Sequence, residues 1–422
     1  MRCTAVRLNS SLRRRKERLK MTKKKKLVGI LAAVLVFVVV VASLSGTFSN
    51  MHRVENYLAL ARAVGRSERR PVPLRVRIDL DNEWSSLIST INASGVDVNL
   101  NLRRSTMTGE MLNLGGGSSR IITLALPSSV TGLTGENAQF ANLTRISFPA
   151  SAEIDGNPFA GSPSVTFRTR GRGDLSTIER GRVLVRGNEL VSFPSASGSI
   201  TFGEITAIGN YAFIGNTNLQ SVSFPAAVNI GNGAFAGNEN LQTVNLPAAV
   251  TIGEAAFLGN TALESITLPA VREVGASAFI NNTSLQTVNL PAAVTIGAYV
   301  FSGNTALETL NIPAATSIGN NMLASTGNTA LAITTGNLQH IGSLMFLNVT
   351  TAKQVTLRIP LAEDEAIPGT LTFAFRGRGW GWHEGVGDAE GNFGYLLGVN
   401  RQVGWNWVAN VNPSINLTIE RR

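Results

Sequence analysis

Cysteine is almost missing from this 422-residue chain: Cys3 is the only one. Everything after it can form neither a disulfide nor a thiolate metal site. Charged residues are scarce at 15%, and aromatic residues make up 6%. The three histidines, His52, His340 and His383, are too scattered for a triad or a zinc site. No nucleophile–base pair appears, and the Gly-Arg-Gly runs at 171–173 and 377–379 lack the strand–helix setting of a phosphate loop. These absences argue against an enzyme and call for no cofactor and no metal.

Positive charge is present but misplaced for a nucleic-acid binder. Of the 37 bases and 27 acids, 12 bases and one acid (Glu17) lie in residues 1–26, which leaves 25 and 26 for the rest. Between 203 and 318 the only base is Arg272. Phosphate binding needs cations clustered on a folded surface, so no nucleic-acid partner is expected.

Long apolar runs are also absent after the N-terminus. The one such run, Leu27–Phe48, carries no charge and is long enough to cross a bilayer. The basic block before it would hold residues 1–26 in the cytoplasm and send the rest outward. Residues 27–48 therefore read as a signal peptide or a transmembrane anchor, with membrane contact through them if uncleaved. No cysteine follows the run, which excludes a lipid anchor on a modified cysteine. Residues 49–73, polar and Arg-rich, read as a stalk or short juxtamembrane helix. The alternating LRVRI, a helix capped at Asp81 or Asn82 and running to Asn92, and VDVNLNL make 74–120 an N-terminal cap.

What dominates the rest is repetition. Phe213, Phe235, Phe257, Phe279 and Phe301 stand 22 residues apart, as do Ile208, Ile230, Ile252, Val274, Ile296 and Ile318 with the glycine after each. Self-similarity at this period means a solenoid whose units bury their apolar edges only against neighbours. In LQTVNLP (241–247), Leu241, Val244 and Leu246 alternate inward with a strand's period of two, and Pro247 ends the strand. Gly253 is expected to supply a positive φ, and the small residues before Phe257 a short helical or 3₁₀ segment. Degenerate units at 120–127, 143–161 and 338–346 extend the stack to 121–350. GRVLVRGNELVSFPSA (181–196) departs from the pattern and predicts a β-hairpin turning at Gly187-Asn188, within an insertion near 168–200. Residues 351–422 would close the far end as a C-terminal cap.

The unit LxxVxLPAAVTIGxxAFxGNTA resembles the BspA-like, or treponemal-type, leucine-rich repeat family, over roughly 120–360. The hairpin and the segments KQVTLRIP, FRGRGWGW and INLTIE also look like parts of treponemal members. The resemblance implies an α/β solenoid, a right-handed leucine-rich repeat stack with one strand per coil of about 22 residues. It also implies a place outside a bacterial cell and a role in adhesion or other protein contacts. Family members usually carry Cys in a GCTAL turn, where this chain has Asn216, Asn238, Asn260, Asn282 and Asn304. An asparagine ladder can cap backbone groups through its amides.

Two candidate surfaces follow. The outward strand positions form columns: Gln220, Gln242, Glu264, Gln286 and Glu308; Ser221, Thr243, Ser265, Thr287 and Thr309; Ser223, Asn245, Thr267, Asn289 and Asn311. They make a flat polar face for a protein or extracellular-matrix ligand, or a solvated β-face whose ladders aid pairing. Trp380, Trp382, Trp405 and Trp407 hold four of the five tryptophans; they would plug the last coil or, alternatively, bind a glycan. DAEGN (388–392) fails as a calcium loop because Phe393 and Val399 replace the required Gly and acid. Arg172-Gly173-Asp174 is too short a motif to carry weight. The chain is expected to act as a monomer.

Overall fold

The computed structural model describes residues 50–63, 70–135, 140–325, 330–335, 340–341, 353–359, 372–373, 393–394 and 415–421. These form a β-solenoid of about 12 turns with coils of about 22 residues. Each regular coil contributes two strands rather than the one expected. The longer follows the L-x-x-V-x-L motif, as in Leu219–Ser223 and Thr287–Asn289, and the shorter is the Thr-Ile dipeptide, as in Thr251–Ile252. Both pair in parallel with the equivalent strand one coil on, so Ser265 faces Thr287 and Ile252 faces Val274. Among the described residues, α-helix is confined to the N-terminal end, which makes the α component minor.

The core is a spine of phenylalanines. All five rungs from Phe213 to Phe301 are fully buried. Successive ring centroids lie 5.0, 5.2, 5.3 and 5.7 Å apart, with planes tilted by no more than 13°. Each ring is thus a contact between neighbouring coils and not only a filler of its own.

Two features of the coil differ from expectation. The segment before each Phe is a turn, not a helix, and its left-handed residue stands two positions before the ring: Tyr211, Gly233, Ala255, Ser277 and Tyr299, with φ of 56, 57, 52, 59 and 58°. That conformation aligns the turns into a third ladder. The N–H groups of Phe213, Phe235 and Phe257 donate to Ala234, Ala256 and Ala278 carbonyls, each at 2.8 Å. Gly253, in contrast, lies outside the left-handed region. It is glycine because a Cβ there would sit 2.6 Å from the Gly231 carbonyl carbon of the preceding coil. At the Ile-Gly step the backbones of neighbouring coils approach too closely for a side chain to stand between them.

The asparagine ladder runs along the spine. Asn238, Asn260, Asn282 and Asn304 are fully buried. The N–H groups of Asn238, Asn260 and Asn282 donate to the Oδ1 of the next rung at 3.1, 2.7 and 2.7 Å. The amide oxygens of Asn260, Asn282 and Asn304 therefore satisfy backbone donors that the turns leave without a partner in their own coils.

Residues 181–196 form the expected hairpin, Val183–Arg186 against Glu189–Ser192, with Gly187 at φ 55°. It is not a mere insertion between units. A third antiparallel strand, Leu175–Ile178, precedes it, and Glu189–Leu190 pairs in parallel with Ala207–Ile208. The hairpin begins the ten-stranded sheet of short strands and forms a wall between two cores. Leu184 and Val191 belong to the N-terminal core, whereas Val183, Val185 and Leu190 belong to the core of the regular coils.

Upstream, a five-stranded parallel sheet is built from Val72–Arg75, Val98–Asn101, Ile121–Ala125, Arg145–Pro149 and Thr166–Arg170. Helix α1 (Asn50–Ala63) and helix α2 (Leu80–Ser94) cover its end. Of the two alternatives for 49–73, Asn50–Ala63 is a helix, and it packs on the fold. Val54, Leu58 and Ala61 are buried in the same core as Leu87 and Ile91, and the Tyr57 hydroxyl donates to the Pro73 carbonyl at 2.8 Å. The cap of α2 also moves: Asp79, not Asp81 or Asn82, accepts the N–H of Asp81, and Glu83 accepts the N–H of Asp79. Gly95, left-handed at φ 66°, ends the helix. Asp81 instead accepts the N–H and hydroxyl of Thr108 at 2.7 and 2.8 Å and the N–H of Gly109 at 3.1 Å. Those bonds, the Thr108 N–H foremost, hold its carboxyl below the usual aspartate range.

The apolar run 27–48 and the four C-terminal tryptophans lie outside the described residues. In 351–422 only the strands Lys353–Ile359, Thr372–Phe373, Phe393–Gly394 and Ile415–Arg421 are described. Ile415–Arg421 pairs in parallel with Lys353–Ile359, which extends the ladder past the regular coils.

Candidate binding surface on the strand face

The alternation of the longer strands turns every second residue outward, and parallel in-register pairing stacks those residues into rows. Ser221 faces Thr243, and Ser223 faces Asn245. Thr267 faces Asn289, which faces Asn311. Gln220, Gln242, Glu264, Gln286 and Glu308 are all exposed, as are Thr243, Ser265, Thr287 and Thr309. Asn245 and Thr267 are exposed too, while Ser221, Ser223, Asn289 and Asn311 are half-buried. The structure thus gathers all fifteen expected positions on one side of the coils.

Side chains within the rows bond to each other in places. The Asn245 amide donates to the Ser223 hydroxyl at 2.8 Å, and the Asn311 amide to Asn289 Oδ1 at 2.6 Å. The only charges among these positions are Glu264 and Glu308, neither in an ion pair among the described residues. Such a face offers hydroxyl and amide hydrogen bonds with a weakly negative cast.

One discontinuity was not legible in the sequence. The strands Leu219–Ser223 and Thr243–Asn245 belong to a three-stranded sheet, and Ser265–Thr267 begins a separate six-stranded one. At this seam Val244 is only half-buried, whereas Val222, Ile266, Val288 and Leu310 are buried. The short-strand sheet on the other side continues unbroken through Thr251–Ile252 and Glu273–Val274.

A cleft of about 270 Å³ lies beside the hairpin, lined in part by Asp155, Arg186, Glu189, Asn210 and Asn229. Its cation is already neutralised: Arg186 meets Asp174 at 3.3 Å and Glu189 at 3.5 Å. Asp174 of the Arg-Gly-Asp tripeptide is engaged by that pair. Among the described residues, no three His, Cys, Asp or Glu side chains are grouped as a metal ion requires.

Residues 195–295 and 272–363 match the model of the BspA type leucine rich repeat region, in six copies. No curated protein matches the chain. Among solved structures, the pneumococcal vaccine antigen PcpA is similar at 16% identity, over 63% of this chain and 70% of that one, with a TM-score of 0.41. A leucine-rich repeat protein from Bacteroides ovatus is similar at 19% identity, over 49% of this chain and 68% of its own, with a TM-score of 0.32. A leucine rich cell surface protein from Faecalibacterium prausnitzii gives 19%, 58% and 61%, and 0.33. With its stacked Phe rungs, paired strands and six matching copies, the chain carries a BspA-type leucine-rich repeat region over residues 195–363.

Proposed function

We propose that this is an exported, non-enzymatic repeat protein that makes protein contacts outside the cytoplasm, including adhesive ones, through the outward face of its longer strands. The observation that supports this reading most is the alignment of exposed polar columns on that face, on both sides of the seam. Gln220 to Glu308 and Thr243 to Thr309 recur once per coil, every 22 residues, and all are exposed. A flat array of this kind suits an extended or repetitive protein ligand, which gains many modest hydrogen bonds instead of one deep pocket. Export rests on the basic block and the apolar run 27–48, which as an uncleaved anchor would tether the solenoid to the membrane.

The test is capture of envelope and extracellular-matrix proteins by the full chain and by Gln242→Lys/Gln286→Lys/Thr287→Lys. Partners that the variant no longer retains are the expected result. Retention unchanged by the three lysines would remove this face from the function.

A further inference from the structure

The five-stranded sheet upstream of the regular coils carries a second, different outward face. In-register pairing puts Arg75 beside Asn101, Asn101 beside Ala125, Ala125 beside Ser147, and Ser147 beside Arg168. Arg145 stands between Thr123 and Thr166 in the next row. Arg75, Arg103, Arg145 and Arg168 are exposed. Arg170 is half-buried and donates its Nη2 to the Leu126 carbonyl. Its burial, and then the positive charges of Arg103 and Arg168, push its guanidinium below the usual arginine value.

None of the five has an ion-pair partner among the described residues. In the same part of the fold Asp97 pairs with Arg120 at 3.1 Å, and Asp79 and Asp81 serve the helix cap and the 108–109 turn. Two buried polar atoms beneath the cluster lack a hydrogen-bond partner, Arg170 Nε and Ser147 Oγ. A group of like charges on one sheet face, hydrated but without a counter-ion in the fold, is a surface that an anion would stabilise.

We propose that this face binds an acidic polysaccharide, its carboxylate or sulfate groups taken by Arg75, Arg103, Arg145, Arg168 and Arg170. Guanidinium ions hold such groups by paired, charge-assisted hydrogen bonds. Asn99, Asn101, Thr123 and Thr166 lie between them on the same sheet and supply donors and acceptors for sugar hydroxyls. Four strand steps of about 4.8 Å separate Arg75 from Arg168, a span of about 19 Å that suits a polymer with recurring charges. No large aromatic side chain is exposed on this sheet, so the base stacking that single-stranded nucleic acid uses has no platform here. The surface is distinct from the Gln and Thr columns, and the inference goes beyond the reading of that face.

The test measures binding of the full chain to immobilised polygalacturonate and heparin across a salt series. Dextran serves as the neutral polysaccharide and a single-stranded DNA oligonucleotide as the competing polyanion. Residues 1–26 are themselves basic, so R145Q/R168Q is compared with the parent both alone and in a K23Q/K24Q/K25Q/K26Q background. The expected loss is about tenfold in affinity for the acidic polysaccharides in both backgrounds, from two partly screened ion pairs. R75Q/R103Q, at the other end of the sheet, is expected to lose affinity in the same direction with an unchanged circular dichroism spectrum. Preference for carboxylate or for sulfate would identify which acid is read. Undiminished binding by both double variants overturns the proposal. So does equal binding to dextran, or tighter arginine-dependent binding to DNA than to either acidic polysaccharide.

Discussion

Replacing Phe257 by alanine removes a ring stacked on both sides, at 5.2 Å from Phe235 and 5.3 Å from Phe279. The site is fully buried. Loss of transfer free energy together with the cavity left behind amounts to about 3–5 kcal/mol. Phe257→Leu keeps most of the volume and should cost about 1.5 kcal/mol. The larger claim concerns coupling. Stability in a solenoid is a sum of unit and nearest-neighbour terms, so Phe257 and Phe279 should show an interaction energy of about 1 kcal/mol in a double-mutant cycle. Phe235 and Phe279, two rungs apart, should be additive within about 0.5 kcal/mol. Urea unfolding followed by far-ultraviolet circular dichroism measures the single and double variants, with the exposed Thr287→Ala as control. A Phe257→Ala effect no larger than that control, or coupling as strong between alternate rungs as between adjacent ones, would refute the stacked spine.

Three further outcomes follow from the coil geometry. Ala255→Gly should stabilise the chain by about 0.5–1 kcal/mol in the same unfolding assay, because Ala255 is held at φ 52° and glycine adopts that conformation freely. Gly275→Ala should do the reverse by about 1–3 kcal/mol, since its Cβ would sit 2.6 Å from the Glu254 backbone nitrogen. Asn260→Ala strips the acceptor from the buried Asn238 N–H and should cost about 1–3 kcal/mol, with faster hydrogen exchange at Asn238. Asp81 is the pH-sensitive member. Its folded pKa is depressed, so its contribution is fully present above the usual carboxylate range and fades as pH falls through the folded value. Hydrogen exchange at Thr108 and Gly109 should rise on acidification in the parent and be already fast, and insensitive to pH in that range once corrected for intrinsic exchange, in Asp81→Asn.

Much of this molecule can be read along one strand of text. The 22-residue spacing of Phe213 to Phe301 gives the period and the rungs, and the alternation around Val244 gives the outward columns. These are short-range signals repeated often. What escapes is set by contact between coils. Gly253 looks like a turn glycine, but its reason is the backbone of Gly231 in the coil before. Asp79 and Asp81 stand two residues apart, and only the packing of the 108–109 turn decides which one caps the helix. Residues 50–63 look polar and tether-like because a helix face as thin as Val54, Leu58 and Ala61 leaves little trace in composition. Counting charge over the regular repeats missed the arginine face, because Arg75 and Arg168 fall in one row only after five strands are laid in register.

The central claim is that coils stack at the spacing of a parallel ladder. It is tested most directly by a pulsed spin-label distance between Gln220→Cys and Glu308→Cys in a Cys3→Ser background. Four coil steps predict a backbone separation of about 19 Å, widened only by the label tethers. A distance beyond about 40 Å, or a broad distribution, would contradict the solenoid.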